Sequence, residues 1–139
     1  DGEWLYVENG YDVESEIYRV NVATGEAERL TDNGVPDIFQ QLSPDGQLMI
    51  VTSGQAAGTG ELKVVDVETG QSTMLAEFPH WVEMGGFSPD GEWFYFTMPD
   101  EDLSLQLHRA KLDGTSLEQL TDSEGDKTFL TWSQTVDEP

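Results

Sequence analysis

Cysteine is absent from the chain. That excludes a disulfide framework and a thiolate metal site, and it leaves the compartment open. Basic residues are scarce: six Lys and Arg stand against 28 Asp and Glu, for a net charge of −22 over 139 residues. A surface this negative repels phosphate backbones and anionic lipid, so neither a nucleic-acid partner nor membrane insertion is expected. Apolar runs last only a few residues, far short of the roughly 20 that a spanning helix needs. No basic segment followed by an apolar stretch opens the chain, and residue 1 is Asp, which reads as a processed or excised start. Histidine is limited to His80 and His108, so a zinc site would have to draw on carboxylates.

Signatures of catalysis are missing as well. There is no Gly-x-Ser-x-Gly elbow. Gly54 to Gly60 is rich in glycine but lacks the lysine and following helix of a phosphate loop. No segment sustains a 3.6-residue period, so helices are not expected. The acids are interleaved with Trp, Tyr, Phe, Val and Leu, unlike a disordered acidic tail. They read first as a solvated surface that suits an extracellular or salt-adapted protein, with calcium binding as the alternative and no other cofactor implied.

What is present is a repeat. Ser43-Pro44-Asp45-Gly46 recurs as Ser88-Pro89-Asp90-Gly91, Asp1-Gly2 is the second half of the same motif, and Trp132-Ser133 begins it again. Thr24-Gly25, Thr69-Gly70 and Asp113-Gly114 keep step, as do Leu30-Thr31, Leu75-Ala76 and Leu120-Thr121. Each Asp-Gly is followed by a short apolar run: Trp4 to Val7, Leu48 to Val51, Trp93 to Phe96. These runs are too short for helices and rich in strand-forming residues. A second run follows at Ile17 to Val22, Leu62 to Val67 and Leu105 to Leu112, then a glycine turn, then a short strand ending at Leu30, Leu75 or Leu120. Phe39 to Leu42, Gly85 to Phe87 and Phe129 to Trp132 supply the strand before each Ser-Pro-Asp-Gly position. Four short strands every 40–50 residues is the spacing of a propeller blade.

With Trp or Phe, Ser-Pro-Asp-Gly, an apolar strand, Thr-Gly and Leu-Thr all in phase, the chain resembles the PD40 (TolB-type, WD40-like) β-propeller repeat along its length. The resemblance implies an all-β fold of four-stranded antiparallel blades. It is silent on function, since such repeats occur in periplasmic TolB, in gating propellers of prolyl-oligopeptidase-like enzymes, in oligogalacturonate lyases and in surface proteins. It implies an extracytoplasmic location.

With strands lettered A to D from hub to rim, the order is B-C-D, A-B-C-D, A-B-C-D, A, in a single domain over residues 1–139. The repeats fall at about 1–42, 43–87 and 88–132, with a trailing strand A over 128–133. Three blades are too few to close, since propellers use 4–8. Two readings follow. In one, two chains close a six-bladed homodimer, Phe129, Leu130, Thr131 and Trp132 of one copy pairing with Trp4, Leu5, Tyr6 and Val7 of the other. In the other, the chain is a piece of a longer propeller.

In propellers of this kind, ligands meet a channel mouth formed by D–A and B–C loops. The D–A loops are read as 32–38, 77–83 and 122–128. His80, Trp81 and Glu83 place an imidazole, an aromatic and a carboxylate together, which suits a protein segment or a carbohydrate. Asp37 and Asp126 are the corresponding acids of the other loops. The competing reading has Trp81 covering a seam between blades. Asp100, Asp102, Asp122, Glu124 and Asp126 are the acids that would serve calcium, although none fits a recognised calcium-loop pattern. The function expected first is a non-enzymatic binding or scaffold propeller that self-assembles. The alternatives are an enzyme-associated propeller (peptidase gate or polysaccharide lyase) and a filament built through open blade ends.

Overall fold

Two kinds of turn set the strands. In Ser43-Pro44-Asp45-Gly46, the Ser43 hydroxyl donates to Asp45 Oδ1 at 2.6 Å. It also accepts the Leu48 amide at 2.9 Å, while Asp45 Oδ1 accepts the Gln47 amide at 3.1 Å. Ser88, Asp90, Glu92 and Trp93 repeat this arrangement. Gly46 and Gly91 sit at φ 73° and 72°, where a side chain would strain the backbone. The hydroxyl and amide donors hold the carboxyls of Asp45 and Asp90 below the ordinary carboxylate range. At the other turn, the side chain of Asn21 or Asp66 accepts the amides two and three residues on, at 2.8–3.1 Å.

A computed structural model of the chain describes residues 2–9, 15–54, 60–78 and 82–128. Among them are eleven strands and no helix. The first sheet holds β1 (Trp4–Asn9), β2 (Glu16–Asn21) and β3 (Ala27–Arg29) in that order. The second holds β4 (Asp37–Leu42), β5 (Leu48–Ser53), β6 (Gly60–Asp66) and β7 (Ser72–Phe78). The third holds β8 (Glu83–Phe87), β9 (Trp93–Pro99), β10 (Leu105–Lys111) and β11 (Leu117–Gln119). Every pairing is antiparallel. This is the expected order of strands B-C-D, A-B-C-D, A-B-C-D. The trailing strand at Phe129, Leu130, Thr131 and Trp132 lies outside the described residues.

The D–A loops are shorter than the sequence suggested. Asp37 and Ile38 already belong to β4, Glu77 and Phe78 to β7, and Glu83 to β8. In the middle blade the cause is Gly60, opposite Phe78 in the ladder. A Cβ on Gly60 would come within 2.3 Å of the Phe78 ring, so the glycine makes room for the ring and the pairing runs on. Gly85 is more tightly constrained, since a Cβ there would fall 1.3 Å from the Tyr95 carbonyl oxygen.

Alternation along the strands gives the second sheet two apolar faces. Met49, Val51, Val65 and Val67 of the second sheet pack on Ile17 and Tyr6 of the first. The opposite face of the second sheet, with Ile50, Leu62, Val64 and Phe78, packs on Phe87, Phe94, Phe96 and Ala110 of the third. Two seams therefore stack three blades.

Candidate functional site

The loops expected at a channel mouth do share one end of the molecule. Asp37 at the start of β4 pairs with Ser53 at the end of β5, and the Gly54 amide donates to the Pro36 carbonyl at 3.0 Å. The Pro-Asp-Gly and Thr-Gly turns lie at the other end of the strands.

Of the residues assigned to the mouth, His80 and Trp81 lie outside the described residues, and Glu83 is described only as backbone paired with Thr97. Asp37 needs correction. It is 1% exposed, so it does not face a ligand. Its carboxylate accepts from Ser53 Oγ and from Asn33 Nδ2 at 2.8 Å, and its amide donates to the Ser15 carbonyl at 2.7 Å. Asp37 thus joins the first blade to the second, a buried carboxylate stabilised by its donors. Asp126 is exposed, and its Oδ1 accepts the Leu105 amide at 2.9 Å.

The acids considered for calcium are not gathered. Asp100 Oδ1 accepts the amides of Asp102 and Ser104 at 3.0 and 2.9 Å, and Oδ2 accepts Gln106 Nε2 at 3.2 Å. Its carboxylate closes a tight turn in which Leu103 adopts φ 62°. Lys127 Nζ donates to the carbonyls of Ser123, Glu124 and Gly125, in the loop that carries Asp122, Glu124 and Asp126. Among the described residues no three His, Cys, Asp or Glu side chains converge as a metal site. His108 is buried, stacked 5.9 Å from Phe96, with Nδ1 2.9 Å from the Gln106 carbonyl. It belongs to the seam between the second and third blades.

A different constellation emerges on the blade faces, joining Trp4 and Tyr6, expected as strand-pairing residues, to Arg19 and Glu28, which the motifs did not single out. In the first blade the Arg19 guanidinium lies 4.7 Å over the Trp4 ring and pairs with Glu28 at 2.6 Å. Its Nη1 crosses the seam toward the Val67 carbonyl at 3.4 Å. Trp4, Tyr6 and Arg19 line an open cleft of about 600 Å³, whose other wall is Leu42 to Gln47 and Asp66 to Glu68. In the third blade Arg109 lies 4.2 Å over Trp93 and pairs with Glu118 at 2.6 Å. Tyr95 and Glu118 hold its guanidinium above the ordinary arginine value. The registers are the same: Tyr6 opposite Arg19 opposite Glu28, and Tyr95 opposite Arg109 opposite Glu118. The middle blade has Ile50, Val64 and Thr73 instead. The signal lay in the spacing of Trp, Tyr, Arg and Glu at 4, 6, 19, 28 and again at 93, 95, 109, 118.

The edge strand β1 is the other open feature. Its neighbour on one side is β2, whereas β5 and β9 each have a strand on both sides. Leu5 and Val7, on its outward face, are 58% and 41% exposed. Among the described residues no strand pairs with β1 on its other side.

No protein-family model matches the sequence. The chain is 30% identical over 101 residues to the uncharacterized protein Atu1656 of Agrobacterium fabrum (strain C58), a match that takes in 73% of this chain and 34% of that protein. A solved TolB-type structure from Agrobacterium tumefaciens superposes with a TM-score of 0.73 at 27% identity, covering 88% of this chain and 44% of that one. A puromycin-hydrolyzing peptidase of Mycobacterium tuberculosis superposes with a TM-score of 0.63 at 24% identity, covering 86% and 19%. The chain spans about a third of the curated relative's length and under half of the solved TolB-type protein's. With three antiparallel sheets stacked face to face and these neighbours, the chain has a TolB-like β-propeller fold.

Proposed function

We propose that the chain is a PD40-type propeller module that binds rather than catalyses, and that two copies close one six-bladed ring. The observation that carries this is that, among the described residues, β1 is an edge strand in a sheet of three, beside two sheets that each have a fourth strand at that position. By the phase of the repeat, residues 129–132 are the strand that a second copy would add there. Closure would bury Leu5 and Val7, whose exposure is an association liability for a lone molecule.

In such a ring the mouth lined by D–A and B–C loops is the binding surface. His80, Trp81, Glu83 and Asp126 are the residues offered to a protein segment or a carbohydrate, and the acidic surface favours a basic partner. The module works outside the cytoplasm, a reading supported by the TolB-like fold. Sedimentation equilibrium tests the ring: a mass of about twice 15.5 kDa at micromolar concentration is expected, and a one-chain mass overturns it.

A second reading is a propeller attached to an enzyme. The likeness to 19% of a puromycin-hydrolyzing peptidase favours it. Its catalytic groups would lie on other sequence, and the 139 residues alone would show no peptidase turnover and a one-chain mass.

A further inference from the structure

The loop that leads from the first blade into the second places an asparagine between two buried carboxylates. The Asn33 amide donates to Glu16 Oε1 at 3.4 Å, and its side-chain Nδ2 donates to Asp37 Oδ2 at 2.8 Å. The Glu16 side chain is 5% exposed and Asp37 is 1% exposed. Arg29 lies 2.8 Å from both Glu16 and Asp32, so its charge is already shared by two acids. Asn33 therefore supplies a neutral donor where a further negative charge would be badly placed. The third blade builds the matching loop from neutral groups. Thr121 Oγ1 donates to Gln106 Oε1 at 2.7 Å, as Thr31 Oγ1 does to Glu16 Oε2 at 2.6 Å. Counted from those threonines, Ser123 holds the place of Asn33.

The residue after Asn33 is Gly34, and Asn-Gly is the dipeptide in which a backbone nitrogen can best reach the preceding side-chain amide. Gly34 adopts φ 73°, and a Cβ there would meet nothing within 4 Å, so the approach is unhindered. Among the described residues the Gly34 amide has no hydrogen-bond partner. Asn33 Oδ1 accepts the Val35 amide at 3.0 Å, which draws the side chain over the Gly34 peptide and polarises Cγ.

We propose that Asn33 is a site of spontaneous deamidation whose product unties the joint between the first and second blades. The Gly34 nitrogen attacks Asn33 Cγ, and its proton passes through water to the departing nitrogen. A bond from Gly34 N to Cγ forms, the Cγ–Nδ2 bond breaks, and Nδ2 leaves as ammonia. Water then opens the five-membered imide at either carbonyl, leaving aspartate or its β-linked isomer. The net change is amide and water to carboxylate and ammonium, with nothing oxidised or reduced. The product lacks the donor to Asp37 and sets a third carboxylate beside Glu16 and Asp37, so repulsion replaces a hydrogen bond. The change is one-way, because the expelled ammonia is not restored. It is independent of how many chains share a ring.

Incubation of the folded 139-residue chain at mildly alkaline pH, followed by peptide mapping with mass detection, tests this. Mapping separates position 33 from the other Asn-Gly pair, Asn9-Gly10. Asn33 is expected to convert at least tenfold faster than Asn21, which is followed by Val22 and whose Oδ1 accepts the Ala23 and Thr24 amides. Asn33→Ser, the residue of the third blade, gains no acid there. Chain converted at position 33, isolated by anion exchange, and Asn33→Asp are both expected to melt several degrees below unconverted chain. The converted chain carries this reading even if Asn33→Asp does not fold. An Asn33 that converts no faster than Asn21 overturns the site. A converted chain that melts with the unconverted one overturns its effect on the joint.

Discussion

The seam between the second and third blades and the seam between the first and second are built differently. The former is aromatic: Phe94 stands edge-on to Phe87 at 5.3 Å and stacks near Phe96 at 6.2 Å, with Phe78 buried among them. The latter is aliphatic at its centre and ends in a Trp–Arg clasp beside a water-accessible cleft. An aromatic seam derives its stability from area removed from water and is costly to expose. A clasped seam keeps a cation and a carboxylate at its margin and tolerates solvent there.

The largest expected effect breaks the aromatic seam. Phe96 is fully buried, and Phe96→Ala removes a ring between sheets, so a loss of about 3–5 kcal/mol is expected. Urea unfolding would show this as a lower midpoint, and a variant as stable as wild type would deny the seam its role. The clasped seam should yield less. Arg19→Ala removes one part-buried hydrogen bond to Val67 and the cover of Trp4, for about 1–2 kcal/mol. If Arg19→Ala proved as costly as Phe96→Ala, the contrast between the seams would fall.

A third change sharpens the comparison by adding stability. Thr97 lies in β9 on the clasp-bearing face, is 1% exposed, and its hydroxyl has no hydrogen-bond partner among the described residues. Thr97→Val keeps the shape and removes the orphaned hydroxyl, so a gain of about 1 kcal/mol is expected. Thermal unfolding would report it as a rise of a few degrees, and a fall would mean that the hydroxyl has a role in the native state.

The sheets were legible in the sequence because their boundaries rest on local chemistry. A serine hydroxyl, an aspartate and a glycine within four residues make the turn at 43–46 wherever they occur, and strand periodicity fills the space between turns. The clasps were not legible, because Trp4, Arg19 and Glu28 are neighbours only across three strands, and Arg19 and Glu28 alone read as ordinary surface residues. Asp37 misled for a related reason. Its donors, Ser53 and Asn33, make a buried carboxylate of what looks like an exposed loop acid. The length of β7 depended on Gly60 lying opposite Phe78, a pairing 18 residues apart that turn spacing does not reveal.

The smallest effect expected per residue concerns the turns, which both seams share. Asp90 is held below the ordinary carboxylate range, first by the Ser88 hydroxyl and then by the Glu92 amide. A depressed folded-state value means that the ionised form contributes stability fully above the unfolded value, near pH 4, and that the contribution fades as pH falls through the lower folded value. Over the same range the whole molecule sheds self-repulsion, since 28 acids outnumber six bases. The melting temperature of wild type alone therefore mixes the two effects. The difference between wild type and Asp90→Asn isolates the turn: it should stay constant from pH 7 to about pH 5 and shrink below about pH 4. The same profile is expected for Asp45→Asn beside the clasped seam, because Ser43 and Gln47 supply the same donors. A difference that grew on acidification would mean that these carboxylates are stabilised as their protonated forms, contrary to the hydrogen bonds they accept.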